Sequence, residues 1–501
     1  MDTLASYDEL PYDSLPLPET QPDVLAALAK LHGFDAPDPC TARILELGCA
    51  QGGNLIPLAW RWPQSDCVGV ELSRVQAGAG TAFIRQLGLP NVRILHADIA
   101  ALPDSLGEFD YIIAHGVFSW VPPAVQQALL ARCRRHLSAR GLAYVSFNVS
   151  AGWQPLRRLR ATLLARTDAR LTAPERHHQA LQVLDELATE WTDPVLLKEM
   201  AYLKTAAPSY LFHEYLADSH APMSFAEFAG MADAHGLRYL GEAGPRQARV
   251  EIEDAWGLIP ESMAGRWHDA ESSLDEALAT RFRRALLARD DAPCGQPPLP
   301  DALPGLSVYA DLASDDEIDL GAAQAQDFVN PAGNRFAITL PGVKAAAMIL
   351  SAHYPAALPY HALYAAACGL VQAHGGAGVD EAPFRVALFD LVMLHGAMPT
   401  VWPGQFADTP GMQPRAHALA RAQARAPGWV VSGARQVALA LDDPGRNLLA
   451  ALDGQRNESD LMALMQQQCD AAGRDWPHAQ VAERIRRQLW LYLRQGLIEQ
   501  A

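Results

Sequence analysis

The sequence predicts an α/β fold: a mostly parallel sheet wrapped by helices, with a helical insertion, followed by two smaller α+β modules. Three observations carry that expectation. An apolar run, Ile44 to Leu47, breaks into Gly48, Gly52 and Gly53 and then continues in a helical pattern, which reads as strand, tight turn and helix start. Strand and helix patterns alternate from residue 41 onward, and such alternation builds a parallel sheet with right-handed crossovers. The last third shows one order of strand and helices twice, about a hundred residues apart.

In order, residues 1–40 read as an N-terminal strap and helix. Prolines in 6–22 forbid a helix there, yet the stretch is aromatic and apolar enough to be packed across the core. Tyr7 and Tyr12 have two readings, lining a pocket or packing in that strap. A helix starts at Thr20 or Gln21, with Pro22 in its first turn, and stops at Gly33. Residues 41–153 form a Rossmann-like core with strands at Arg43–Leu47, Cys67–Glu71, Val92–His96, Tyr111–His115 and Leu142–Asn148. Helices are predicted from about Asn54, Ser73, Ala100 and Pro123; Ser73 is a good N-cap and Gly88 a good stop. Residues 154–221 read as a helical insertion or cap, whose arginines from Arg157 to Arg170 have the plain reading of a solvated face. Residues 222–289 hold a capped helix, a Gly236 stop and a strand, so that the sheet finishes near 245, then a regulatory-type region. A proline-rich linker at 290–305 leads to winged-helix-like modules at 306–400 and 401–501.

At 501 residues the chain is long enough for several cores. A net charge of −17 argues against phosphate-backbone binding, and acids outnumber bases across 306–501, so the two modules point to protein contact or homodimerisation and to no nucleic acid. Seven scattered cysteines with no Cys-x-x-Cys pair suit buried thiols in a reducing compartment. The N-terminus has no apolar signal-peptide core and no run spans a bilayer; a cytoplasmic protein without membrane insertion is expected. His177, His178, His213 and His220 show no zinc spacing, and no metal is expected.

Ligands of such sheets lie at the carboxyl ends of the strands, where Gly48, Glu71, Asp98 and His115 fall. Glu71, about 20 residues after the glycines, is placed to bond a ribose diol; Asp98 is placed to meet an adenine amine. Glu46 before Gly48 gives Glu-x-Gly-x-x-x-Gly, which resembles motif I of the class I S-adenosyl-L-methionine methyltransferases, with Ala50 where many relatives keep a glycine. Further stretches sharpen the likeness: Ser6-Tyr-Asp-Glu-Leu-Pro-Tyr12, Ile112 to Pro122, Val145-Ser-Phe-Asn148 with Gly152-Trp153, and Phe212-His-Glu-Tyr-Leu216. Together they resemble the bacterial methyltransferases with a methyltransferase regulatory domain, a group that includes rickettsial-type protein-lysine methyltransferases of outer-membrane protein.

That resemblance implies a class I methyltransferase sheet, S-adenosyl-L-methionine as cofactor and, less firmly, a lysine of a protein as acceptor. Glu46, Gly48, Gly52, Gly53 and Asn54 would surround the methionine moiety, the glycine amides facing its carboxylate. Glu71 and Leu72 would hold the ribose side, Asp98 and Ile99 the adenine, and His115 and Gly116 would border the methyl group. Phe118, Trp120, Asn148 and Trp153 are the candidates for the acceptor pocket, since aromatic faces attract a sulfonium or alkylammonium. Trp120 and Trp153 have an equal reading as core closure. His115 reads as a general base or as a histidine satisfied by backbone. Two rival functions stay open: a small-molecule methyltransferase on this scaffold, and a cofactor-binding scaffold without turnover. A nicotinamide dehydrogenase is a more distant third.

Overall fold

A computed structural model describes residues 10, 13–217, 219–244, 267–292, 298–471 and 476–500. Tyr7 and Tyr12 lie outside them. The chain divides into two units: residues up to Ser14 with Cys40–Pro293, and Leu15–Pro39 with Cys294–Ala501.

The first unit is built on a seven-stranded sheet. Its strands are β1 (Arg43–Leu47), β2 (Asp66–Glu71), β3 (Val92–His96), β4 (Phe109–Ala114), β5 (Leu137–Asn148), β6 (Leu237–Glu242) and β7 (Phe282–Arg289). They lie in the order β3-β2-β1-β4-β5-β7-β6. The first five are parallel, and β7 is antiparallel to both β5 and β6. The apolar strand residues predict this, since parallel strands bury both faces: Leu45, Leu47, Val68, Val70, Ile112 and Val145 join one buried cluster. Helix Arg74–Leu87 starts on the Ser73 side chain and ends at left-handed Gly88, as its caps dictate.

Two expectations need correction here. No helix starts at Ala100; the chain makes only short turns at Ile99–Ala101 and Asp104–Leu106, because Pro103 cannot continue a helix. Nor does the sheet finish near 245. Strand β7 returns from residue 282 and inserts between β5 and β6, its Arg283 and Arg284 concealing a strand that is otherwise buried along its length. Between Asn148 and β6 the insertion is helical, with Arg157–Arg166, Ala173–Glu190, Pro194–Leu203 and Pro208–Leu211 followed by a π-helical turn, Phe212–Leu216. It has its own core of Leu159, Leu163, Leu184, Leu187, Met200 and Tyr215.

The second unit repeats one topology. Ser307–Tyr309 pairs with Leu358–Pro359 and with Met398–Thr400. Between these come a hairpin, Gln326–Val329 with Arg335–Ile338, and helices Pro341–His353, Tyr360–Ala373 and Glu381–Met393. In the second pass, Arg415 bridges Asp453 and Ala416 bridges Ile498. A hairpin of Val431–Ser432 with Ala438–Leu439 precedes helices Asp443–Ala451, Glu458–Ala471 and His478–Arg494. The internal echo is thus a repeat of hairpin, helix, short strand, two helices and closing strand.

Helix Pro22–Leu31 forms as its caps dictate but belongs to this second unit, which corrects the expectation that all of 6–22 crosses the core of the sheet. Its buried Asp23 accepts from Thr400 Oγ1 at 2.7 Å and lies 3.6 Å from Arg435. Among the described residues no helix is long and apolar enough to cross a membrane.

Candidate active site

The glycine loop after β1 is held by its own amides. Gly48 N and Cys49 N donate to Val70 O at 2.8 and 3.1 Å, Gly52 N to Cys49 O at 2.8 Å, and Gly53 N to Ser14 Oγ at 2.8 Å. The glycine amides expected to face a ligand carboxylate are therefore bonded within the chain. Two of these glycines are required sterically. Gly48 has φ 75°, and a Cβ there would fall 2.5 Å from Val117; a Cβ on Gly53 would fall 2.0 Å from the Ser14 carbonyl oxygen. Ser14 thus crosses directly over the loop. Ala50, in the position where many relatives keep a glycine, is left-handed at φ 49°, a conformation that costs an alanine roughly 1–2 kcal/mol. Its amide explains why it is held: Ala50 N donates to Glu71 Oε2 at 2.8 Å.

Glu71 ends β2 and ties two loops together, since its other oxygen accepts from Ser73 N at 2.7 Å. Beside it Leu72 and Val75 are 50% and 60% exposed, an apolar surface that water covers poorly. Asp98, after β3, is exposed and caps the next turn through Ala100 N at 2.8 Å; Ile99 is half-buried beside it. Below the loop Glu46 is almost fully buried. Its Oε1 accepts from Asn54 Nδ2 at 3.0 Å while Oε2 has no partner. Burial pushes the Glu46 carboxyl up to about 8, the Asn54 bond opposing and the Glu71 charge adding to the rise.

At the ends of β4 and β5 a second cluster begins. His115 Nδ1 lies 2.9 Å from the buried Tyr144 hydroxyl, with Phe282 edge-on to its ring. Gly116 N donates to Ser146 Oγ at 2.8 Å. Phe118 is fully buried and packs edge-on to Phe228, which makes it core rather than pocket wall.

Trp120, Asn148 and Trp153 converge instead on His220, which the sequence reading weighed as a metal ligand and placed as a surface or core histidine. The His220 ring stacks on Trp120 at 4.7 Å and meets Trp153 edge-on at 4.3 Å. Asn148 Nδ2 lies 3.2 Å from His220 Nε2, and Asn148 N is fixed on Ser119 Oγ at 2.8 Å. Burial holds His220 down at about 3, with the Arg160, Arg157 and Arg281 charges pushing the same way, so the ring is neutral and accepts the amide proton. Arg281 lies 5.0 Å over Trp153 and is held two-pronged by Glu199 at 2.9 and 3.1 Å; Tyr215 also donates to Glu199, at 2.6 Å. His213 is placed elsewhere, on Leu10 O at 2.6 Å. Tyr144 and Phe282 carried no sequence signal of their own, whereas Tyr215 lay within the Phe212–Leu216 stretch without an assigned role.

Glycine turn, acid and second acid at three successive strand ends of such a sheet fit a class I methyltransferase. Three family models agree along the chain: "Methyltransferase domain" over residues 44–141, "Predicted methyltransferase regulatory domain" over 207–289 and "PKMT, C-terminal winged helix domain" over 413–489. Two Rickettsia prowazekii proteins are similar over the first half. Uncharacterized protein RP789 is 40% identical over 242 residues, 47% of this chain and 44% of that one. Uncharacterized protein RP028 is 33% identical over 241 residues, 47% of this chain and 96% of that one. The chain thus spans less than half the length of the first relative and nearly all of the second. In structure it resembles PKMT2 from Rickettsia typhi in complex with AdoHcy, with TM-score 0.83 and 22% identity over 97% of this chain and 100% of that one; at that identity the likeness is one of fold. This chain belongs to the S-adenosyl-L-methionine-dependent methyltransferases that carry a methyltransferase regulatory domain.

Proposed function

We propose that this chain transfers a methyl group from S-adenosyl-L-methionine to the side-chain amine of a lysine in a protein, with outer-membrane-type protein as the first substrate to assay. The observation that carries the reading is the aromatic-walled cluster of Trp120, Trp153, Asn148 and neutral His220 next to the ends of β4 and β5.

The residues at the strand ends fit the cofactor. Glu46 offers a buried carboxylate oxygen with no partner, which suits the methionine ammonium. Glu71, already oriented by two amides, suits the ribose hydroxyls, and exposed Leu72 with Asp98 and Ile99 suits the adenine. When bound, the cofactor supplies a methyl group on a sulfonium, a carbon open to in-line attack by a neutral amine. The chain's own work is to deliver that amine. Aromatic walls desolvate it, and the Arg157, Arg160 and Arg281 charges around His220 disfavour its protonated form; both lower a lysine pKa from about 10.4. With Asn148 Nδ2 given to His220, Oδ1 is the acceptor left to orient an incoming N–H. Alignment and water exclusion of this kind supply roughly 7–11 kcal/mol of a displacement barrier.

Incubation with methyl-labelled cofactor and cell extract is expected to place alkali-resistant label in the protein fraction. Label confined to low-mass material would overturn the lysine assignment. Asn148→Ala is expected to lower kcat by about a hundredfold with cofactor affinity unchanged.

A pH dependence follows from Glu46. Its carboxyl is raised from 4.5 to about 8, so the folded chain holds a proton there that the unfolded chain releases. The ligand-free protein therefore loses this contribution to stability as pH rises from 4.5 through about 8. Cofactor affinity runs the opposite way, because an ammonium prefers the ionised carboxylate: it should rise up to about tenfold per pH unit below 8 and then level. Cys49, Glu71 and Asn54 are the groups facing Glu46. Calorimetric titration from pH 6 to 9 measures it, and Glu46→Gln should flatten the curve.

A further inference from the structure

We propose that the Ser14 hydroxyl, on the N-terminal strap, donates to the carboxylate at the methionine end of the cofactor, in place of the glycine-loop amides. The inference rests on the cofactor placement proposed above and adds to it a residue that selects for the carboxylate. An amino-acid end needs a donor for its carboxylate and an acceptor for its ammonium. The loop amides were the expected donors, yet those of Gly48, Cys49, Ala50, Gly52 and Gly53 all donate within the chain. Gly53 N gives its proton to Ser14 Oγ, at 2.8 Å and buried. A hydroxyl that accepts keeps its own proton to give, and among the described residues no acceptor takes it.

Glu46 is the converse group, a carboxylate 4% exposed whose Oε2 has no partner. The donor and the acceptor are tied to consecutive residues of one turn, Ser14 to Gly53 N and Glu46 to Asn54 Nδ2 at 3.0 Å. An unused donor and an unused acceptor held this way match the two poles of an α-amino acid. The strap keeps Ser14 in place with no ligand present. Leu10 O accepts from His213 Nε2 at 2.6 Å, and Leu10 packs on the core of the helical insertion. At the other end the Ser14 carbonyl lies so close to Gly53 that any Cβ there would meet it at 2.0 Å. A donor fixed in advance binds its ligand without a further cost of ordering.

The test is calorimetric titration of the full chain with S-adenosyl-L-methionine and with its decarboxylated form, which keeps the ammonium and the adenosine but lacks the carboxylate. Ser14→Ala is expected to weaken binding of the first by about tenfold or more and to leave the second unchanged. Ser14→Thr keeps the hydroxyl and should stay close to the native chain with both ligands, which separates loss of the hydroxyl from damage to the strap. Equal weakening of both ligands in Ser14→Ala would make Ser14 a brace for the loop and overturn the inference, as would no weakening of either; the cofactor placement would stand in both cases. A native chain that binds the two forms equally would overturn it without any variant. Failure of the native chain to bind S-adenosyl-L-methionine at all would overturn the cofactor placement along with it.

Discussion

Glu71→Ala is expected to weaken S-adenosyl-L-methionine binding by about a hundredfold or more in calorimetric titration. Charged hydrogen bonds contribute roughly 1.5–3 kcal/mol each, and a carboxylate proposed to hold two ribose hydroxyls stands to lose about two of them. The structure adds a second loss. Glu71 bonds Ala50 N and Ser73 N, so its removal frees the one left-handed alanine of the glycine loop and loosens the Ser73 turn that starts helix Arg74–Leu87. Glu71→Gln keeps an acceptor for only one of those amides and should fall between the two. Unchanged affinity in Glu71→Ala would place the cofactor elsewhere on this chain.

Arg283→Met is expected to cost the first unit about 3–5 kcal/mol in denaturant unfolding, the range for stranding buried charges. The Arg283 side chain is wholly buried. It donates to Asp275 at 2.8 and 3.1 Å through Nε, to Glu242 at 2.8 Å and to Glu271 at 2.7 Å, with its guanidinium 4.2 Å over Phe225. Taking the cation away removes the Arg283 charge that Asp275 and Glu242 face in the interior. Adding Asp275→Leu to the variant should recover part of the loss, because an absent pair is cheaper than a broken one. A loss under about 1 kcal/mol would mean that water reaches those carboxylates and that the cluster does little for the fold.

The same arginine marks where sequence reading stopped short. Strands β1, β2, β4 and β5 were legible because apolar runs buried on both faces leave a strong apolar signature, and β3, at the sheet edge with Val92 alone buried, from its Ile94-Leu95 pair. In β7 the adjacent Arg283 and Arg284 break that signature, and Arg283's partners Glu242 and Asp275 sit 41 and 8 residues away in sequence. A local window registers the charges without the carboxylates that make their burial tolerable. The candidate cofactor residues stood out for a similar reason: the glycines, Glu71 and Asp98 each follow a recognisable strand. The acceptor side was only half so. Trp120, Asn148 and Trp153 stood out as bulky or polar residues at strand ends, whereas His220 reaches them across the insertion, with no spacing to announce it. Gly53 was legible as a turn; that it must be glycine because Ser14 lies on it was not. Pro103 stands three residues after Ala100 and ends the helix there at a single short turn, Ile99–Ala101.

Helix Pro22–Leu31 belongs with residues made several hundred positions after it. Its Asp23 meets Thr400 at a separation of 377 residues, and Gln21 reaches the Arg435 carbonyl across 414. During synthesis this helix must therefore wait for residues 400 and 435 before those contacts close. Closing such distant contacts is slow, and a helix with nine of its ten residues destined for burial is an adhesive surface meanwhile. Starting an expression clone at Cys294, which looks like a natural boundary, would yield a C-terminal fragment missing its keystone.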